Sequence, residues 1–217
     1  MQNKKAILFD WDGTIAKTLD VWLDVFEKAY QDFGVEMSRK EIPEHFGDYP
    51  WTEAKLGNRT TAFWLQATEA AKPFLAKVKL YDGAKEVLQS LSKRYRLAIV
   101  TSSAYEMLDA ALSHSGLEEL FEFKVTAQDT DVHKPDPEPV SLALQKLNLS
   151  AEEVIFVGDT EKDTRASAAL DIPCIFFAPQ SHEVFYDMPK LLQEPNIVAT
   201  FKHWNEFEQA LGQTLNS

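Results

Sequence analysis

A single cysteine, Cys174, in 217 residues excludes an internal disulfide and any metal site built from cysteines. Positive charge is scarce too: 22 Lys and Arg stand against 34 Asp and Glu, a formal net charge of −12. A nucleic-acid backbone or an anionic membrane needs clustered positive charge in its partner, so neither is expected here. No apolar run approaches the ~20 residues of a membrane span. The first apolar stretch stops at Asp10, too short for a signal peptide, so a reducing, cytoplasmic setting is the expectation. Repeats, low-complexity tracts and Gly/Ser linkers are missing as well. What is left is ordinary globular material, 45% hydrophobic and 26% charged, enough for a core and against disorder.

That material has a rhythm: a short apolar run, then polar or small residues, then a helical period. Residues 6–9, 97–100 and 154–157 are unbroken apolar runs, and 123–127 and 172–177 are less clean versions. Short runs without alternation suit strands buried on both faces, as in a parallel sheet covered by helices. Between them Ala84, Val87, Leu88 and Leu91 recur at helical spacing, as do Met107, Leu108, Ala111 and Leu112. Val140, Leu142, Leu144 and Leu147 form a less regular stretch. Strand alternating with helix predicts an α/β, doubly wound fold.

From residue 15 to about residue 80 the alternation stops. Val21, Trp22, Val25, Phe26, Ala29, Tyr30 and Phe33 lie on one wide face of an amphipathic helix, and Gly34 is placed to end it. Ser38 and Glu41 have capping-box spacing for a second helix that Pro43 keeps short. A third helical stretch begins near Thr60 and carries Phe63, Leu65 and Ala70, with Pro73 kinking or splitting it. A helical insertion of this size is expected to be a cap over the sheet, giving a core of residues 1–14 and 81–217 and a cap of 15–80. Hinges are expected near 17–19 and 80–83, where Asp82-Gly83 is a turn signal.

The chemistry is located by the residues at the end of each run. Residues 6–9 lead into Asp10-Trp11-Asp12-Gly13-Thr14, residues 97–100 into Thr101-Ser102-Ser103, and residues 154–157 into Gly158-Asp159-Thr160-Glu161-Lys162-Asp163. An open parallel sheet binds its ligands outside the carboxyl ends of its strands, so three strands deliver polar groups to one edge. Asp10, Asp12, Asp159 and Asp163 would then crowd carboxylates that cannot all stay ionised without a partner. A hard divalent cation answers this, and oxygen ligands without His or Cys favour Mg2+ over zinc. Ca2+ stays open on ligand type, but an EF-hand does not, because Thr14 holds its fifth position and no Glu its twelfth. Chance yields a D-x-D-G-T match in roughly three of a thousand such chains, from residue frequencies of ~6%. Three segments together are far more specific.

These residues resemble the haloacid dehalogenase superfamily of phosphohydrolases. Asp10-Trp11-Asp12-Gly13-Thr14 looks like its first motif, Thr101 its second, Lys134 in His133-Lys134-Pro135-Asp136 its third, and Gly158-Asp159 through Asp163 its fourth. The match runs from about residue 5 to about 179, with the insertion where the helical-cap branch of phosphoglycolate phosphatase and beta-phosphoglucomutase relatives carries its cap. The resemblance implies a Rossmann-like sheet of order 3-2-1-4-5, with room for an extra C-terminal strand. It makes Asp10 the nucleophile that takes up a phosphoryl group and Asp12 the general acid and base. Asp10, Asp159 and the backbone carbonyl of Asp12 would ligate Mg2+, with Asp163 beside them. Thr101 and the Ser102 amide would hold phosphoryl oxygens, and Lys134 would offset charge. The dehalogenases lack an aspartate at the place of Asp12, and the phosphonate-cleaving branch reads D-W-A-G-T. Keeping Asp12 therefore points to P–O cleavage in a small phosphorylated metabolite such as phosphoglycolate, a sugar phosphate or a nucleotide. A phosphomutase on the same scaffold and a non-catalytic binding protein are the alternatives.

Blander roles compete at several positions. Thr101 has the chemistry of a helix N-cap, Lys134-Pro135 that of a turn, and Asp163 that of a first-turn helix charge. His45, Tyr49, Trp51 and Arg59 are candidate substrate readers that would equally serve as structural residues, and His133 stands where a small residue is more usual in the family. Lys17 and Thr18 replace an Asp-Ser pair common there. Cys174 is expected to pack in a buried strand. Oligomeric state is left open.

Overall fold

In the computed structural model, which describes residues 4–216, the apolar runs become strands of one sheet. They are β1 (Ala6–Phe9), β2 (Arg96–Val100), β3 (Phe123–Val125), β4 (Val154–Gly158), β5 (Cys174–Phe177) and β6 (Ile197–Phe201). Their order is β3-β2-β1-β4-β5-β6 and every pairing is parallel. The sheet is thus the expected 3-2-1-4-5 arrangement with the extra C-terminal strand added at its edge. Phe9 lies opposite Ile99 on one side and Val157 on the other, so β1, β2 and β4 end nearly flush. The residues beyond them share one edge.

The helical insertion begins with α1 (Leu19–Asp32), closed by Gly34 at φ +72° as its periodicity predicts. Glu41 accepts hydrogen bonds from the Ser38 amide and hydroxyl, but the pair leads into one 3-10 turn, Ile42–His45, rather than a helix. Pro43 in its first turn limits it. Periodicity does not reveal α2 (Tyr49–Leu56), which starts where the Asp48 carboxylate accepts from the Trp51 amide. Next comes α3 (Thr60–Leu75), unbroken, with Pro73 in its last turn. Its buried face is Phe63, Ala67, Ala71 and Leu75, at steps of four. Leu65 and Ala70, which the sequence also places in this stretch, are exposed: Leu65 stands about 200° around the helix from Phe63, and the buried stripe drifts away from Ala70 toward Ala71 and Leu75. Phe26 and Tyr30 of α1 stack on Phe63 of α3 at 6.1 and 4.8 Å between ring centroids, the centre of a separate aromatic cluster. Two crossings join these helices to the sheet side by side: the Lys17 amide donates to the Lys79 carbonyl, and the Tyr81 amide to the Ile15 carbonyl.

Both faces of the sheet are covered, which is why β1, β4 and β5 at its centre carry no charged side chain. Ile7, Phe9, Leu97, Ile99, Ile155 and Val157 meet α4 (Ala84–Leu91), α5 (Tyr105–Ser115) and a late helix. Ala6, Leu8, Ala98, Val100 and Phe156 meet α6 (Glu138–Leu147) and α7 (Glu161–Ala168) on the other face. A short α8 (Met188–Leu191) packs beyond Cys174 and Phe176, and α9 (Phe207–Asn216) is the late helix. Cys174 is buried in β5, as its packing role requires. No helix among the described residues is long and apolar enough to cross a membrane.

Candidate active site

β1 ends at Phe9, and the chain enters a tight turn in which the amides of Thr14, Ile15 and Ala16 all bond the Trp11 carbonyl. Gly13 makes this turn at φ +78°, and a Cβ on it would lie 2.4 Å from Asp159 Oδ2. Gly158 serves the neighbouring strand end in the same way, since a Cβ there would lie 2.5 Å from the Cβ of Asp163. Two absent methyl groups therefore let the acidic side chains come together. A Gly13→Ala variant combines left-handed strain with overpacking and should lose about 2–4 kcal/mol. Urea denaturation checks this; an unchanged midpoint would show the turn to be more forgiving than its geometry.

Asp10, Asp159 and Asp163 converge, with one carboxylate oxygen from each lying within 4.8 Å of the others. Lys134, brought in by the loop before α6, donates 2.6 Å bonds to Asp10 Oδ1 and to Asp163 Oδ1. The other oxygen of Asp163 accepts from the Thr160 amide and hydroxyl at 3.0 and 2.8 Å and so closes the N-terminus of α7. Asp163 thus has the helix-start role that competed with its site role, and it also lies in the cluster. Thr14 Oγ1 donates to Asp159 Oδ1 at 2.7 Å, while Asp159 Oδ2 is buried without a hydrogen-bond partner among the described residues.

Asp12 does not join this convergence through its side chain. Its Oδ1 accepts from Trp22 Nε1 at 2.9 Å and its Oδ2 from Ser103 Oγ at 2.6 Å, with Thr101 Oγ1 at 3.4 Å. The four-carboxylate crowd expected from the sequence is therefore three carboxylates plus a neighbour turned toward β2 and α1. Thr101 Oγ1 accepts from the Ser103 amide at 3.0 Å, and since the N-cap of α5 is Ala104, Thr101 is not that helix's cap.

Three buried acids share one ammonium here, and the electrostatics register it. Burial raises Asp10 to about 7, with Lys134 opposing and Asp163 and Asp12 adding to the rise. Asp159 is pushed well above the carboxylate range by burial and by the charges of Asp10 and Asp163. Burial works against the charge on Lys134, but Asp10 and Asp163 outweigh it and hold its pKa above the ordinary value. A buried oxygen without a partner, in an all-oxygen donor set of excess negative charge, fits a hard divalent cation.

Asp10, Asp12, Thr101, Ser102 and Lys134 line a cavity of about 150 Å³, roofed by Trp22, Phe26, Phe46, Tyr49, Trp64 and Thr68. A wider cleft of about 1090 Å³ adjoins it between residues 43–53, 131–137 and 185–191. Phe46, Gly47, Tyr49, Lys134 and Lys162 line both. Lys162 Nζ donates to the Phe46 carbonyl across this boundary, and burial lowers its pKa to about 8 although Asp48 and Asp163 hold it up.

Of the aromatic and basic candidates in the insertion, Tyr49 alone lines the cavity. His45 stacks on Trp51 at 3.9 Å, and Arg59 lies exposed over Phe33, bonded to its carbonyl at 3.1 Å. His133 rests 4.4 Å from the Tyr49 ring beside the wider cleft, and burial lowers its pKa. The contacts of Thr14, Trp22, Ser103 and His182 were not foreseen from sequence. Thr14 and Ser103 were in view as members of strand-end segments, and His182 lies just beyond β5 at the same sheet edge. Trp22 carried no such signal, because its spacing marks only the apolar face of α1.

Comparison with known proteins bears on this arrangement. The family model described as haloacid dehalogenase-like hydrolase matches residues 7–177. Pyrophosphatase PpaX of Bacillus cereus is 39% identical over 166 residues, covering 73% of this chain and 76% of that protein. A hydrolase from Pseudomonas syringae has a similar structure, with a TM-score of 0.84 over 97% of this chain and 99% of that one, at 18% identity. A haloacid dehalogenase-like family hydrolase from Streptococcus pneumoniae gives 0.80 over 97% and 100%, also at 18% identity.

Proposed function

The chain belongs to the haloacid dehalogenase-like hydrolases, and we propose that it is a Mg2+-dependent phosphatase that cleaves a small phosphorylated metabolite through an aspartyl-phosphate on Asp10. The observation that carries this reading is the meeting of the Asp10, Asp159 and Asp163 carboxylates, with Lys134 bonded to Asp10 and Asp163, where Asp10, Asp163 and Lys134 line the cavity. In the first step a carboxylate oxygen of Asp10 attacks phosphorus, the P–O bond to the leaving group breaks, and Asp12 gives its proton to the departing oxygen. In the second, Asp12 takes a proton from water as that water attacks phosphorus, releasing phosphate and restoring Asp10. Asp12 has to exist in both protonation states. Trp22 Nε1 can only donate, but the Ser103 hydroxyl can donate to the carboxylate or accept from the acid, so it serves either state.

Lys134 steadies Asp10 and faces the charge carried by the transferring group. Thr101 and the Ser102 amide are the donors assigned to the phosphoryl oxygens. Mg2+ would be held by Asp10 and Asp159 with the Asp12 carbonyl, and would offset charge on the phosphoryl oxygens. Asp163, with both oxygens engaged, is assigned to holding Lys134 and the start of α7 beside that cation. Residues 15–80 are assigned as a cap that excludes water and sets specificity. At about 150 Å³ the cavity takes the volume of roughly five waters, room for a phosphoryl group and a small leaving group.

The test is phosphate release from inorganic pyrophosphate, phosphoglycolate and an aryl phosphate. A relative named as a pyrophosphatase makes the first of these the place to start. Turnover with Mg2+ should vanish on EDTA treatment and return with added Mg2+; equal turnover without metal ends the proposal. Stability gives a second readout. Raised carboxylate pKa values mean that the folded chain holds protons the unfolded one has released, so cation-free stability falls as pH rises from about 4 toward 7. Mg2+ should accordingly raise the melting temperature more at pH 8 than at pH 5.

A further inference from the structure

Behind the cluster of acids, on the β5 side, the wall of the site is aromatic, with one polar side chain set in it. His182 lies in the 3-10 turn Gln180–Val184 beyond β5 and is completely buried. Phe177, Tyr186 and Tyr81 surround its ring at 5.7, 5.9 and 6.0 Å between centroids. Its Nε2 is 2.8 Å from the Tyr81 hydroxyl. Its Nδ1 faces Asp159 Oδ2 at 3.5 Å. Neither of those two facing atoms has a hydrogen-bond partner among the described residues, and both are buried.

A buried donor or acceptor left unmade is costly, so two such atoms facing each other form a pair waiting to close. The tautomer is set by the other ring nitrogen. With the Tyr81 hydroxyl donating to Nε2, a neutral imidazole carries its proton on Nδ1 and aims it at the carboxylate. A shift of a few tenths of an ångström completes the bond, and such bonds are often long before a site is loaded. Asp159 is then fixed from both sides, by Thr14 on Oδ1 and by His182 on Oδ2, with Gly13 close against it.

We propose that His182, seated by Tyr81, is a positioning residue for Asp159, and that it sets how tightly the site holds its divalent cation. The proposal rests on the metal-dependent reading above. His182 does not line the 150 Å³ cavity, so its influence reaches the reaction through Asp159 rather than through substrate. Tyr81 adds a connection. Its amide bonds the Ile15 carbonyl where the two crossings between helices and sheet run side by side, so one residue touches both the hinge and the partner of a metal ligand.

The experiment is direct titration of the full chain with Mn2+ alone, by electron paramagnetic resonance or calorimetry, for wild type, His182→Leu, His182→Gln and Tyr81→Phe. Removing the partner of a ligating group typically weakens metal binding 10–100-fold, so about that loss is expected for His182→Leu. His182→Gln, which keeps an N–H donor, should recover most of the affinity, and Tyr81→Phe should lose a few-fold. The metal concentration for half-maximal turnover should move in step, with substrate KM at saturating metal staying put; a purely structural role would not separate the two. Wild-type affinity in both Tyr81→Phe and His182→Leu overturns the proposal and leaves the metal-dependent reading intact. Should His182→Leu fail to fold, full wild-type affinity in Tyr81→Phe together with a His182→Gln loss no smaller than that of an unrelated buried substitution overturns it. Failure of the wild type to bind Mn2+ at all brings down both.

Discussion

Asp10→Asn is expected to lower phosphate release by about 10⁴-fold or more, the scale seen when a nucleophile is removed from a catalytic unit. The amide is nearly the same size, so the cavity and its donors stay where they are, but its neutral oxygen is a far weaker nucleophile than a carboxylate. Stability should move the other way. Burial and the neighbouring acids make the charged form of Asp10 unfavourable in the cation-free fold, so at pH 8 its replacement removes a destabilising charge. The variant should therefore melt no lower than wild type without metal at that pH. Rapid-quench phosphate assays and a melting curve measure the two halves. A residual rate above about one hundredth of wild type would mean that another group attacks phosphorus.

The second large effect concerns Lys134, which bonds Asp10 and Asp163 from a position only 5% exposed. In Lys134→Met the chain keeps the side chain's bulk and loses the ammonium, leaving two buried carboxylates to face each other. Breaking a buried pair from one side costs about 3–5 kcal/mol. For a chain of this size that corresponds to a melting temperature about 10 °C lower. Turnover should fall at least about 100-fold, as it does when one stabilising donor is taken from a charged transition state. Lys134→Arg should not rescue it, because a planar fork cannot replace a point charge between two oxygens that each lie 2.6 Å away. A melting temperature within about 2 °C of wild type would show that the acids stay neutral and need no counter-charge.

How much of this was legible beforehand depended on the kind of information each feature carries. Strands β1, β2 and β4 declared themselves because burial on both faces demands unbroken apolar runs. Once they are parallel, the residues after them must share an edge, so Asp10, Thr101 and Asp159 could be gathered from sequence. β6 was harder, because it is an edge strand whose exposed Val198 and Thr200 alternate with buried Ala199 and Phe201. Its presence, like the strand order, came from resemblance rather than from pattern. α2 gave no apolar period, since only Thr52 and Leu56 of its eight residues are fully buried. Its real signal was Asp48 with Pro50 two residues on, a cap and a first-turn proline.

Side-chain direction was the least legible. Nothing local distinguishes Asp12 from Asp10, two residues apart at one strand end. Their fates are decided by Trp22 and Ser103 for the one and Lys134 for the other, partners brought in from remote segments.

The central place of β1 also shapes how the chain comes together. Its neighbours in the sheet begin at residues 96 and 154, so during synthesis it leaves the ribosome long before either exists. The segment made next carries its own cluster around Phe26, Tyr30 and Phe63, and can gather locally while β1 waits unpaired. Translation thus makes β1 early and encloses it late. The nascent chain therefore carries an apolar strand in need of shelter until β4 arrives, and the covering of β1 and the meeting of Asp10 with Asp159 fall into place in a single event.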